Sequence, residues 1–214
     1  MITLYHCQNA RSFRVLWALE ELGLAYNLQM LPFPPRIFQR DYLAINPLGT
    51  IPFFIDGETR MTESAAICQF LASRYGGGRL AVAPEDAAYG AYLNFLSFGE
   101  ATLTFPQALV LRYRALEATR SLGAVADDYE RWFAGRLRGI EPVLSEQPYL
   151  CAGRFTAADI SVGYALKLAE ILSLSGYFAA PVKAYWERLS LRQGYQRACA
   201  AQARAAGDKP PEIG

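Results

Sequence analysis

Residues 46–64, reading NPLGTIPFFIDGETRMTES, constrain what this chain can fold into more than any other stretch. Two short apolar runs flank a turn at Asp56-Gly57-Glu58. Pro52 follows Ile51 at the entry to Phe53-Phe54-Ile55, and proline, lacking an N–H, is confined to strand starts, edges and bulges. An X-Pro bond in a tight turn can be held cis. Such a bend exposes the N–H and C=O of Ile51, enough to pair with an extended peptide as a short added strand. Glu63 and Ser64 then open the apolar run 65–75. A helix start offers free N–H groups and a positive dipole end that suit a carboxylate, while Glu63 can hold an ammonium. Thr50 and Ile51 line the same groove.

The flanking sequence sets this stretch in a βαβ-α-ββα order. Residues 2–5 read as a strand, and 12–22 place Phe13, Leu16, Trp17, Leu19 and Leu22 on one apolar face ending at Gly23. Residues 26–31 form a second strand, stopped by Pro32, Pro34 and Pro35, and 36–45 a short helix closed by Asn46-Pro47. The runs 53–55 and 60–62 make a hairpin, followed by a helix over 63–75. The βαβ connection should be right-handed. Gly76-Gly77-Gly78 ends the pattern, and beyond Asp86 the apolar spacing is helical: Tyr89, Tyr92, Phe95 and Phe98, then Phe105, Leu109 and Tyr113. Further helices are expected near 124–144, 157–172, 182–191 and 193–205. The expected division is an α/β domain at 1–78, a linker at 79–85, an all-α helical domain at 86–206 and a polar tail at 207–214.

A groove for a peptide backbone, an α-carboxylate and an α-amine suits the γ-glutamyl end of glutathione. The N-P-x-G-x-I-P segment with its E-S pair, the R-V-x-x-A-L-E-E run from Arg14, and Phe155-Thr156-Ala157-Ala158-Asp159-Ile160 as an S/T-x-x-D capping box are similar to motifs of one family. In this order, over nearly the whole length, the chain resembles the glutathione S-transferases. The resemblance implies a thioredoxin-like N-terminal domain, an all-helical second domain, glutathione as co-substrate and a homodimer. Thr156 and Asp159 are read as a cap of about 1 kcal/mol, so Asp159 determines fold and is not a catalytic acid.

Composition excludes other classes. Hydrophobic residues make up 52% and charged ones 19% of 214 residues, a balance that supports a sizeable core. Twenty-one basic against twenty acidic side chains, net +1, give no nucleic-acid surface. No apolar run approaches the roughly 18 residues that span a bilayer, and no signal peptide or membrane partner is expected. Cys7, Cys68, Cys151 and Cys199 form no C-x-x-C and accompany one histidine, His6. That pattern argues against a metal site or a disulfide framework and for a reduced, cytoplasmic protein.

Conjugation needs a thiolate, and lowering a thiol pKa of about 8.5 by ~2 units requires roughly 2.7 kcal/mol of preferential stabilisation. In serine- and cysteine-type relatives the key residue lies about five places before the arginine of R-V-x-x-A-L-E-E. Counting back from Arg14, that place holds Asn9, with Ala10 beside it. The arrangement resembles a bacterial and fungal branch that often carries Ser where this chain has Ala10. The remaining donors are the Asn9 amide, the Ser12 hydroxyl, the backbone N–H groups of Ala10 and Arg11, and the Arg11 cation. Asn9 ranks first and Ser12 second, each with a structural alternative: Asn9 as a turn residue, Ser12 as a helix cap. Cys7 and His6 read as buried and structural. Gln39 or Arg36 is expected to meet the glycyl carboxylate, and Phe105, Leu109 and Tyr113 to line an apolar acceptor pocket between the domains. The activity implied is glutathione transfer to a small electrophile. The alternatives are a glutathione-dependent reductase, peroxidase or isomerase, and a non-catalytic ligand- or partner-binding protein. The Ser-Ser-Cys stretch of zeta-type isomerases is absent from the first turn, and retention of Pro52, Glu63 and Ser64 opposes a pure binding module.

Overall fold

The computed structural model describes residues 1–206; the expected tail at 207–214 lies outside the described residues. Residues 1–81, joined by residues 191–206, form one compact unit, and Val82–Ser190 forms the other.

The first unit is thioredoxin-like. Its elements are β1 (Ile2–His6), α1 (Phe13–Leu22), β2 (Tyr26–Met30), α2 (Pro35–Phe38), β3 (Phe53–Asp56), β4 (Thr59–Met61) and α3 (Ser64–Tyr75). The four-stranded sheet has the order β2-β1-β3-β4. β1 and β2 are parallel, with Ile2 opposite Tyr26 and His6 opposite Met30. β3 runs antiparallel to β1, with Tyr5 opposite Phe53, and β4 antiparallel to β3, with Phe54 opposite Met61. The directions have a consequence for position. The end of β1, the start of β3 and the end of β4 share one end of the sheet, so α1 and α3 both begin there.

The helix expected over 36–45 is divided. α2 stops at Phe38, Gln39 leaves helical geometry at φ −143°, and a 3₁₀ turn follows at Arg40–Ala44. The break turns Tyr42 inward to 1% exposure.

The last helix of the described residues, α10, spans Gln193–Ala206 and belongs to this first unit rather than to the helical one. Its contacts with α1 explain why. The Tyr195 ring meets Phe13 and Trp17 edge-on at centroid distances of 5.6 and 5.0 Å. Arg192 forks onto Glu21 at 2.8 and 2.9 Å, and Arg197 Nε pairs with Glu20 at 3.0 Å. A periodicity shared with the preceding helices cannot reveal which surface a helix covers.

The second unit holds α4 (Tyr89–Phe98), α5 (Phe105–Leu111), α6 (Gly123–Leu137), α7 (Glu141–Glu146), α8 (Ala157–Ile171) and α9 (Ala180–Ser190). α4 and α5 form one run interrupted by a π-helical stretch at Gly99–Thr104. At Gly99 a Cβ would lie 2.4 Å from the backbone of Ser161, so only glycine permits the approach of α8. Ser161 in turn donates to Leu96 O at 2.7 Å. The wider π turn also admits Pro106, whose ring would strain a regular helix.

α8 is buried nearly all round and starts as the sequence predicts. Asp159 Oδ2 accepts from the Thr156 N–H (2.8 Å) and hydroxyl (3.1 Å), while Oδ1 accepts from Leu150 N–H (3.1 Å) and Tyr185 O–H (2.8 Å). Burial pushes the Asp159 carboxyl above its usual range, and those bonds oppose the shift. Asp159→Ala would strand these donors in a dry site at ~1–3 kcal/mol each. We expect urea denaturation to show a loss of roughly 3 kcal/mol or more for Asp159→Ala, with a smaller loss for Thr156→Ala.

Candidate functional site

The Asn46–Pro52 segment is held from beneath by buried polar groups. Asn46 is 2% exposed; its Nδ2 donates to Thr50 O at 2.9 Å and its Oδ1 accepts from Leu48 N–H at 3.2 Å. Tyr42 O–H donates to the same Thr50 O at 2.7 Å. Gly49 takes φ 62°, and a Cβ there would meet Arg36 Cβ at 2.8 Å, so the turn requires glycine and packs against α2. The Ile51-Pro52 bond is cis. Among the described residues no hydrogen bond engages the N–H or C=O of Ile51, which lies outside the β1–β3 pairing. Thr50 is exposed, and Gln39 sits partly buried at the α2 break.

The turn between β1 and α1 lies against this segment. Cys7, Leu31, Tyr42, Ile51 and Phe53 form one buried cluster, with Ala10 packed on it. Asn9 adopts φ 58°, a left-handed conformation that asparagine tolerates. Its N–H donates to Gln202 Oε1 at 3.1 Å, and its Oδ1 accepts from Gln202 Nε2 at 2.9 Å. Arg11 is partly buried beside it.

Two of the donors expected from sequence are committed elsewhere. Ser12 is fully buried; its Oγ lies 2.7 Å from His6 Nδ1 and accepts from Cys7 N–H at 3.4 Å. The Ala10 N–H donates to Cys7 O at 3.1 Å. Ser12 Oγ thus props the turn from inside the fold.

α3 opens at the same end. Glu63, in extended geometry at its N-cap, is exposed, and its carboxylate has no partner among the described residues. Ser64 is buried, and its Oγ accepts from Arg14 Nη1 at 3.2 Å. Arg14 is fully buried on α1, so a guanidinium inside the core couples the two helix starts. Its signal was an arginine between Phe13 and Val15 on an otherwise apolar face.

In the helical unit, Phe105 is half exposed with its ring edge on Tyr129, while Leu109 and Tyr113 are partly buried. The guanidinium groups of Arg112 and Arg120 lie over the Tyr113 ring at 5.4 and 5.9 Å. Tyr164 is a core residue at 2% exposure. Among the described residues no three His, Cys, Asp or Glu side chains gather as metal ligands, and no helix is long and apolar enough to cross a membrane. The four cysteines are unbonded. Burial pushes the Cys7 thiol up to about 12, so it is not a thiolate at neutral pH.

A family pattern described as the glutathione S-transferase N-terminal domain matches residues 2–79. Glutathione S-transferase 3 of Zea mays is 30% identical over 195 residues, covering 88% of each chain. The chain belongs to the glutathione S-transferase family. A crystal structure of a Phanerochaete chrysosporium glutathione transferase in complex with oxidized glutathione superposes at a TM-score of 0.83 and 26% identity, over 95% of this chain and 96% of that one. A second transferase from that organism, also with oxidized glutathione, reaches 0.85 at 20% identity over 97% of both chains and shows the shared fold.

The chain carries its one histidine, His6, under the candidate site, where acid will act on it. Burial lowers the His6 pKa to about 4, and the bond to Gln202 only partly offsets that. The unfolded chain titrates near 6.5, so below that pH it takes up a proton that the fold refuses. Stability is then full above about pH 6.5 and falls by up to ~3 kcal/mol as pH drops towards 4. Urea denaturation of wild type and His6→Asn across this window should show that share of the acid loss only in wild type.

Proposed function

We propose that the protein is a glutathione transferase that activates the glutathione thiol and adds it to small electrophiles. The observation that carries this reading is the unengaged backbone of Ile51 beside the cis Pro52, at the same end of the sheet as the exposed Glu63 carboxylate. Ile51 N–H and C=O pair with the cysteinyl backbone as a short added strand. The first N–H groups of α3 and the Ser64 hydroxyl hold the γ-glutamyl carboxylate. Because Ser64 Oγ accepts from Arg14, its own proton remains to donate. Glu63 binds the ammonium, and Thr50 and Gln39 supply polar groups along the groove. Asn9 donates to the thiolate, and the Arg11 cation assists.

Phe105, Leu109 and Tyr113 are the proposed acceptor residues of the helical unit. The family resemblance adds a homodimer, and the unbonded thiols fit a reducing compartment such as the cytoplasm. The buried, protonated Cys7 disfavours the alternative in which this chain forms a mixed disulfide with glutathione.

Calorimetric titration with glutathione tests the reading. Glu63→Gln removes a charge-assisted bond of roughly 1.5–3 kcal/mol, and affinity should fall by about 10- to 100-fold. Asn9→Ala should change affinity little while the pKa of the bound thiol rises, since Asn9 acts on the thiolate alone. A wild-type protein that takes up no glutathione, or a Glu63→Gln variant that binds as tightly as wild type, would overturn the assignment.

A further inference from the structure

Gln202 stands 193 positions from Asn9 in sequence, yet grips it through both branches of its carboxamide. Oxygen and nitrogen of such a group are told apart by what faces them. The Asn9 main-chain N–H can only donate, so the atom that faces it is Gln202 Oε1. The other branch is then Nε2, a donor, and the Asn9 atom facing it must be Oδ1. The remaining protons follow in turn. Gln202 Oε1 also lies 3.2 Å from His6 Nε2, so that nitrogen carries the imidazole proton. His6 Nδ1 is then an acceptor and receives the Ser12 hydroxyl, which itself accepts from Cys7 N–H.

One chain of bonds thus fixes the polarity of the Asn9 side chain. With Oδ1 turned to Gln202, the N–H2 branch lies on the opposite side of the carboxamide. An untethered asparagine turns about χ2 at little cost, and would as readily offer an oxygen that repels a thiolate. We propose that Gln202, on α10, is a positioning residue that holds the Asn9 carboxamide with its N–H2 as the donor for the glutathione thiolate. This rests on Asn9 being that donor. It gives the last helix a role in thiol activation without contact with the thiol.

Two measurements on the full chain test it. His6 is the single histidine, so long-range proton–nitrogen NMR of the imidazole reads its tautomer without ambiguity. The expected result is the Nε2–H form at neutral pH; an Nδ1–H form overturns the bond chain. The second is the ultraviolet titration of bound glutathione in Gln202→Met, Asn9→Ala and the double variant. Gln202→Met should raise the thiol midpoint by about one pH unit at nearly unchanged glutathione affinity. In the Asn9→Ala background it should add nothing. If Asn9→Ala raises the midpoint while Gln202→Met does not, or if the two shifts add, the positioning role is wrong and Asn9 stands. If Asn9→Ala leaves the midpoint unmoved, the reading of Asn9 has failed, and the proposal with it. Should Gln202→Met not fold, Gln202→Glu keeps both acceptor bonds and draws the Asn9 N–H2 inward. It should raise the midpoint as well, and by less when Asn9 is alanine; an equal rise in both backgrounds would overturn the role.

Discussion

Polar groups at the end of β1 are shut away from water, and a buried polar group must find a partner or cost several kcal/mol. His6 and Ser12 are fully buried and Gln202 nearly so. Each satisfies another: Ser12 bonds His6, His6 bonds Gln202, and Gln202 closes on the turn at Asn9. The arrangement of the unit follows from that requirement. β1 must end where α10 can reach it, α10 must lie on α1, and the turn between β1 and α1 must curl back with Asn9 in a left-handed conformation. A second set of buried partners, Tyr42 and Asn46 on Thr50 O, fixes the neighbouring Pro52 segment in the same way. The candidate groove is thus a fixed surface standing on two satisfied polar clusters.

Much of this was legible from sequence because it is local. The strands, the hairpin at Asp56-Gly57, the helix opening at Glu63-Ser64 and the capping box at Thr156–Asp159 each depend on residues within a few positions of one another. Pro52 after Ile51 marked the cis bend for the same reason. Non-local features were hidden. Nothing in the spacing of Gln193–Ala206 says that the helix covers α1 rather than its helical predecessors, because that choice rests on Tyr195, Arg192 and Arg197 meeting residues far earlier in the chain. The place of Ser12 in sequence suits a donor and says nothing of His6, towards which its hydroxyl turns. An arginine between apolar neighbours, as Arg14 is, likewise gives no hint that its partner lies on α3.

In the proposed site a carboxamide takes the place of the hydroxyl of relatives with serine in the first turn. An asparagine N–H2 is a neutral donor whose strength depends on geometry, and a loose one would contribute little. In the proposed site a thiolate would also gain from the N-terminal end of α1, which begins at Phe13 just after the turn. With Arg11, these donors would together have to supply roughly 2.7 kcal/mol to lower the thiol by ~2 units of pKa.

We infer that this first turn, without a serine, tyrosine or cysteine at its key place, still ionises glutathione. A pH titration of the ultraviolet thiolate absorbance of glutathione bound to the wild-type protein tests it directly. The account predicts a midpoint well below the free-thiol value of about 8.5. A midpoint at that value would mean that glutathione is held but not activated, and would contradict the account.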